Sequence, residues 1–175
     1  LDFGCGNDGF LKKAKKFAFE FIGIELEKRI QEYMHGNLQI FSGLKGLGER
    51  QYDLITAFHV IEHLQDPRKI SGNLKEFLSP GGCIVVKVPS SSDALLTLYE
   101  CEAFQNFTYW SQHLYLFNVK TLETLAQQSG LKVISIQQYQ RYPLSNHLYW
   151  LSKGKPGGHK FWSFLDSPLL KQTYA

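Results

Sequence analysis

Apolar runs and mixed polar segments alternate along the first half of the chain, and this alternation predicts strands separated by helices. Residues 18–25, AFEFIGIE, form an apolar, β-rich run that predicts a strand closing on Glu25. LQIFSG (38–43), YDLITAF (52–58) and CIVVKVP (83–89) predict three more strands. GFLKKAKKF (9–17) reads as a short helix, and 26–36 as a second helix stopped by Gly36. The segment 66–82 reads as a third, with Asp66 as cap, Pro67 at the first helical position and a Pro-Gly-Gly stop. Strands and helices in this order predict an α/β fold, a parallel sheet with helices on both faces.

The second half is less regular. Residues 90–117 include FTYWSQHLYLF, too aromatic for a plain solvent loop, and 118–131 reads as a capped helix ending at Gly130. KVISIQQYQ (132–140) and HLYWLS (147–152) predict two strands, joined by a connection short enough for an antiparallel hairpin. FWSFLDSPLLKQTY (161–174) predicts a final helix. The expected organisation is one domain over 1–152, with an insertion around 90–117, and a C-terminal extension over 153–175.

Bulk properties narrow the function classes. A chain of 175 residues with 43% hydrophobic and 20% charged content suits one globular domain with a real core. The net charge of +3 is too small to argue for a nucleic-acid partner, and Lys12, Lys13, Lys15 and Lys16 read as a solvated helix face. Cys5, Cys83 and Cys101 form neither a disulfide framework nor a paired metal spacing, which favours a reducing cytoplasm. No apolar run approaches the ~20 residues of a membrane span. Aromatic residues crowd into 99–164, as expected of a pocket or an interface. The chain opens at Leu1-Asp2, directly before a glycine turn that normally follows a longer apolar strand. A fragment is therefore expected, lacking most of its first strand upstream and perhaps more downstream.

The glycine turn carries the first chemistry. LDFGCGNDG holds G-x-G-x-x-G at Gly4, Gly6 and Gly9, opening a helix after a strand end. Glu25 follows at about the 20-residue spacing of an acid that holds ribose hydroxyls. A dinucleotide would set its pyrophosphate on this turn, where Asp2 would repel it. An α-ammonium group would instead be welcomed by Asp2. S-adenosyl-L-methionine carries such an ammonium, a ribose and an adenine, and no phosphate. A dehydrogenase is disfavoured on the same ground.

The order LDFGCGNDG, GIE, YDLITAFHVIEHLQDP and LSPGGCIVVKVP resembles the class I S-adenosylmethionine-dependent methyltransferases. Within them it is similar to the branch containing ubiquinone-biosynthesis O-methyltransferases. The resemblance implies a Rossmann-like three-layer sandwich. Its seven-stranded, mostly parallel sheet would have an antiparallel last strand and a central first strand, largely missing here. It implies S-adenosyl-L-methionine as cofactor and S-adenosyl-L-homocysteine as product. Asp2, Gly4, Cys5, Gly6, Glu25, Leu26, Gly43, Leu44, Ala57, Phe58 and His59 would bind the cofactor. The family's acid after the third strand is replaced here by Ser42, Gly43 and Leu44, so adenine recognition is expected from backbone and apolar contact.

FHVIEHLQDP (58–67) spells H-x-x-E-H, the inverted zinc-peptidase signature. That chemistry needs both His on one helical face, whereas His59 falls at a predicted strand end. Similar enzymes often carry E-x-x-E-H here to hold a divalent ion. Glu62 and His63 match that pattern and His59 does not, so no metal is expected, with Glu62 and His63 as the ligands if one binds. The other readings of this pair are a brace for the next helix and a direct part in catalysis. On the acceptor side, His113 is the first candidate base and His59 the second. Trp110, Tyr115, Arg141 and His147 are candidate acceptor-binding residues, since Trp and Tyr faces suit rings and Arg pairs with anions. The expected function is methyl transfer to a small-molecule acceptor, at a hydroxyl oxygen. A protein or nucleic-acid methyltransferase and a non-catalytic Rossmann-like binding module are the alternatives. The oligomeric state is left open.

Overall fold

The apolar runs of the first half assemble into one parallel sheet. Its strands are β1 (Asp2–Phe3), β2 (Ile22–Ile24), β3 (Gln39–Phe41), β4 (Tyr52–Phe58) and β5 (Leu78–Lys87), in the spatial order β3-β2-β1-β4-β5. The computed structural model describes residues 1–6, 9–14, 16–33, 39–109, 112–139 and 142–166. It divides into two units, Leu1–Pro89 with Thr124–Lys132 and Ser90–Glu123 with Val133–Ala175. The sheet lies wholly in the first.

Although β1 has two residues, it pairs on both edges: Asp2 and Phe3 with Gly23 and Ile24 of β2, and Asp2 with Thr56 of β4. Ile22, Ile24, Ile55 and Ala57 are buried, as expected where helices cover a parallel sheet. Helices α1 (Gly9–Ala14), α2 (Lys28–Tyr33) and α3 (Pro67–Lys75) connect the strands. The chain runs outward from β1 through β2 to β3, then returns past β1 to β4. Right-handed crossovers therefore carry α1 and α2 to one face and α3 to the other. The reversal between β1 and β4 is a topological switch point, where open α/β sheets bind ligands at the strands' carboxyl ends.

Local chemistry sets the element ends. The Asp66 carboxylate accepts from the Lys69 N–H at 2.8 Å and caps α3, whose first position is Pro67. The Pro-Gly-Gly segment, expected to end that helix, instead lies within β5, because α3 already stops at Lys75. The β4–β5 register shifts between Tyr52 and Leu54, and Gly81 absorbs the irregularity with a φ of 81°. A Cβ on Gly82 would lie 2.8 Å from the Tyr52 carbonyl oxygen, so the strands close there only over glycine. The end of α6 (Val119–Gln128) closes on Gly130 at φ 72°, with the Leu131 N–H reaching the Ala126 carbonyl. The neighbouring Ser129 hydroxyl donates to the Leu125 carbonyl of its own helix at 2.8 Å and reaches the Arg68 carbonyl of α3 at 3.2 Å.

The second unit holds α4 (Ala94–Thr97), α5 (Glu102–Thr108), the start of α6 and α7 (Leu144–Lys153). Leu95, Leu96, Cys101, Phe104 and Trp150 form its core, with the Phe104 and Trp150 rings edge-to-face at 5.2 Å. The predicted antiparallel hairpin is not formed. Residues 147–152 lie inside α7, and 132–139 pair with no strand. Buried Asn146, His147 and Trp150 recur at helical spacing, while Leu148 and Leu151 face out, so the period is three to four rather than two. The left-handed Gly154 ends the helix, its N–H donating to the Trp150 carbonyl. The sheet among the described residues accordingly has five parallel strands and no antiparallel last one. Of the predicted final helix, only a 3₁₀ turn at Ser163–Leu165 falls within the described residues; Gly36 lies outside them.

Candidate functional site

The carboxyl ends of β1, β2, β3 and β4 place the predicted cofactor residues along one edge of the first unit. Gly4 and Cys5 both donate their N–H groups to the Ile24 carbonyl, at 2.9 and 3.0 Å, so the glycine turn is tied to β2. Gly4 has a φ of 74°, and a Cβ there would press into the Val60 side chain, just beyond β4. Gly6 has a φ of 52° and open space where its Cβ would be, so its backbone can be approached closely. Cys5 is buried and packs with Leu11, and Gly23 leaves the room its sulfur needs.

Glu25 bridges two turns. Its Oε2 accepts from the Gly6 N–H at 3.0 Å and its Oε1 from the Glu27 N–H at 2.9 Å. The Gln31 side-chain amide donates to the Glu25 carbonyl, and the Glu25 N–H donates to Phe41. Each carboxylate oxygen uses one of its acceptor positions, leaving two for a diol. Leu26, beside it, is 73% exposed, an apolar platform at the strand edge. After β3, Gly43 is open above its Cα and Leu44 begins a 3₁₀ turn, Leu44–Leu47. Leu26 and Leu44 are the apolar residues that these two strand ends offer to a flat ring.

Asp2 is a buried carboxyl of the site, 4% exposed. Its Oδ1 accepts from the Thr56 hydroxyl at 2.7 Å. Burial pushes its carboxyl above the usual range, against the opposing pull of the Thr56 hydrogen bond. A cationic partner would relieve that burial. Together the residues fit S-adenosyl-L-methionine: a buried anion for the ammonium, a turn open to close approach, a carboxylate with spare acceptors for the ribose, and an apolar platform for the adenine.

At the end of β4, Ala57 is fully buried and the Phe58 ring meets Phe10 edge-to-face at 4.9 Å. His59 follows with a φ of 58°, a left-handed conformation that few side chains adopt, held by its N–H donating to the Lys87 carbonyl. Its Nδ1 lies 3.3 Å from Oε1 of Glu62, a carboxylate that is 0% exposed. His59 Nε2 and Glu62 Oε2 are both buried and lack a hydrogen-bond partner. Glu62 does not cap α3, a role taken by Asp66.

The predicted acceptor residues belong to the second unit. His113 Nδ1 donates to the Thr108 carbonyl at 2.8 Å, and Tyr115 stacks on Phe117 at 5.9 Å. His147 is buried in α7, and that burial pushes its imidazole below the usual range, with Asp93 pulling the other way. Trp110 and Arg141 lie outside the described residues. Two residues of the first unit were not anticipated. Thr56 holds Asp2, and Val60 fills the space that Gly4 leaves. Both follow from which strand neighbours β1, which single-chain periodicity does not state.

A parallel sheet reversing at β1/β4, with a glycine turn and a strand-end acid at its carboxyl edge, defines a Rossmann-like fold. The sequence matches the family model described as a methyltransferase domain over residues 1–136. The chain belongs to this family, whose methyl donor is S-adenosyl-L-methionine.

Solved structures share the fold. A SAM-dependent methyltransferase from Archaeoglobus fulgidus is 20% identical, with a TM-score of 0.65 over 80% of this chain and 63% of that one. The YcgJ protein from Bacillus subtilis is 17% identical, with a TM-score of 0.61 over 99% of this chain and 80% of that one. Phosphoethanolamine N-methyltransferase 2 from Haemonchus contortus, solved with S-adenosyl-L-methionine, is 19% identical, with a TM-score of 0.52 over 74% of this chain and 32% of that one. The chain spans about three fifths of the length of the first structures it matches, 63% and 61%. No curated protein sequence matches it.

Proposed function

We propose that this protein transfers a methyl group from S-adenosyl-L-methionine to a hydroxyl oxygen of a small-molecule acceptor, releasing S-adenosyl-L-homocysteine. The observation that carries the reading is the buried Asp2 beside a glycine turn whose Gly6 N–H is held by Glu25. In this reading Asp2 takes the ammonium, Glu25 the ribose hydroxyls, Leu26, Gly43 and Leu44 the adenine, and Ala57, Phe58 and His59 line the methionine arm. Gly4 and Cys5 set the turn. When bound, the donor supplies a methyl group already activated on a sulfonium. What is left for the protein is alignment of the acceptor, exclusion of water and removal of the acceptor's proton. His59 and His113 are the candidate bases for that proton, and Trp110, Tyr115, Arg141 and His147 the candidate acceptor-binding residues. The order of motifs and the Glu62-His63 pair favour the branch of the ubiquinone-biosynthesis O-methyltransferases. Catalysis needs no metal here; if an ion binds, Glu62 and His63 are the ligands. Three free thiols suit a cytoplasmic setting, and among the described residues no helix is long and apolar enough to cross a membrane.

Calorimetry with S-adenosyl-L-methionine tests the donor half. Transfer of its labelled methyl group into a cell extract, followed by identification of the product, tests the acceptor half. Label in protein or nucleic acid would overturn the small-molecule reading, and binding without transfer would leave a non-catalytic module.

A further inference from the structure

We infer that the end of α7 and the segment after it, residues 148–164, form a docking surface for an anionic lipid bilayer. Its lysines meet the headgroups, and Phe161 and Phe164 enter the boundary between headgroups and acyl chains. The inference is independent of the methyl-transfer reading and holds whatever the acceptor is.

Charge marks the surface first. Between Pro143 and Leu165 the chain carries Lys153, Lys155 and Lys160 and neither Asp nor Glu. Elsewhere it balances 16 basic residues with 16 acidic ones, so its whole net charge of +3 is concentrated in this stretch. All three lysines are exposed, and among the described residues none has an ion pair. The next acid along the chain, Asp166, is already engaged. Its Oδ1 accepts from the Ser145 N–H at 3.0 Å and its Oδ2 from the Ser145 hydroxyl at 2.7 Å.

Apolar surface coincides with that charge. Phe161 is 64% exposed and Phe164 78%, and Leu148 and Leu151 are exposed on the outer side of α7. One such side chain is ordinary on a protein surface, whereas four close together beside uncompensated lysines mark an interaction site. The rings are held in place. Phe161 stacks on Tyr149 of α7 at 5.4 Å, with the two rings 4° from parallel, and Trp162 meets the same ring edge-on at 5.3 Å. The Gly157 N–H donates to Oδ1 of the buried Asn146 at 2.8 Å, and Gly158 lies so close to the Ser145 carbonyl that no Cβ fits. These contacts fix the 3₁₀ turns Gly158–Lys160 and Ser163–Leu165 on α7, so displaying the two phenylalanines costs little ordering on docking.

The mixture selects the partner. Tight nucleic-acid binding draws on about six to ten phosphate contacts and on polar groups that read base edges. Three lysines beside Phe and Leu supply neither. A bilayer asks for less: each lysine at an anionic surface raises partitioning about fivefold, and an apolar ring that leaves water raises it roughly tenfold or more. Phe and Leu carry no side-chain polar atom to satisfy, so nothing opposes their entry into the acyl boundary.

Sedimentation of the full chain with vesicles tests this. Vesicles of phosphatidylcholine with about a third phosphatidylglycerol should bind it at low salt, more weakly as salt rises, and vesicles of phosphatidylcholine alone should bind it little. Phe164→Ala should weaken binding about tenfold and Lys155→Gln about fivefold, both with unchanged Tm because both side chains are exposed. If Tm falls in Phe164→Ala, Leu151→Ser takes its place as the apolar variant and should weaken binding at least threefold. Equal binding to neutral vesicles, no binding to anionic ones, or full binding by the apolar variant would overturn the inference. So would tighter binding to a single-stranded oligonucleotide than to anionic vesicles at the same salt, which would assign the face to nucleic acid.

Discussion

Asp2→Asn should make the free protein at least as stable and the cofactor complex much weaker. Asp2 is 4% exposed, and burial raises its carboxyl pKa above the usual carboxylate range. The folded state therefore binds this proton more tightly than the unfolded state does. For this group the stability contribution falls as pH rises from 3.8 through the raised folded value, and the penalty is complete above it. An Asn oxygen still accepts the Thr56 hydroxyl, so the variant removes the penalty and keeps the hydrogen bond. Thermal melts at pH 7 should show an unchanged or higher Tm for Asp2→Asn, with the gap closing as pH falls toward 4. Cofactor binding moves the other way. A charge-assisted hydrogen bond to the ammonium contributes about 1.5–3 kcal/mol, so the variant should lose roughly 10- to 100-fold in affinity by calorimetry. The reasoning fails if the affinity changes less than about threefold, or if Tm drops by more than about 4 °C, the scale of 1 kcal/mol for a chain this size.

Other predictions follow from single contacts. Glu25→Gln keeps one oxygen for the Gly6 N–H, sets an amide NH2 against the Glu27 N–H, and loses the charge proposed to face the ribose. Calorimetry should show at least a tenfold weaker S-adenosyl-L-methionine complex, with Tm lower by a few degrees for the lost Glu27 bond. Gly4→Ala places a Cβ against Val60 at a φ of 74°, and should cost about 1–3 kcal/mol in denaturant unfolding. Part of that cost should return in the Val60→Ala background, where the clash is gone and the backbone strain stays. Asp66→Ala removes the α3 cap and should cost about 1 kcal/mol in the same assay, with no change in cofactor affinity.

Most of the first unit could be read in advance, because its signals are local. Glu25 closes an apolar run, Asp66-Pro67 opens a helix, and YDLITAF is β4 residue for residue. The glycine turn was legible for the same reason: a left-handed φ at Gly4 and Gly6 has a short-range sequence signature. The second unit was misread where two periods compete. HLYWLS is a short apolar, aromatic-rich run of the kind strands favour, yet Asn146, His147 and Trp150 bury one helical face. Pro143 at the N-cap and Gly154 at the C-cap were the signals that favoured a helix. LSPGG was read as a stop because Pro-Gly usually punctuates, whereas here the extra residues bulge inside β5. The burial of Glu62 had no signature at all. H-x-x-E-H gives the spacing of the pair, and only the packing shows that one member is sealed from solvent.

The glycine turn after β1 is tied into the sheet from both sides. Ile24 accepts from Gly4 and Cys5, Glu25 from Gly6, and Val60 fills the space over Gly4, so β2 and the segment after β4 hold the turn from either side. Glu25 is fixed in turn by β3, through its N–H to Phe41. A ligand entering this edge orders little backbone, so more of its contact energy is left for affinity. The same wiring sets what a mutation does. A change at Glu25 or Val60 acts on the turn, while a change at the Asp66 cap acts only on α3. Affinity for the methyl donor should therefore track contacts across the three strand ends and be indifferent to helix stability elsewhere in the unit. A set of variants whose donor affinity followed Tm instead would show that the edge is not preformed.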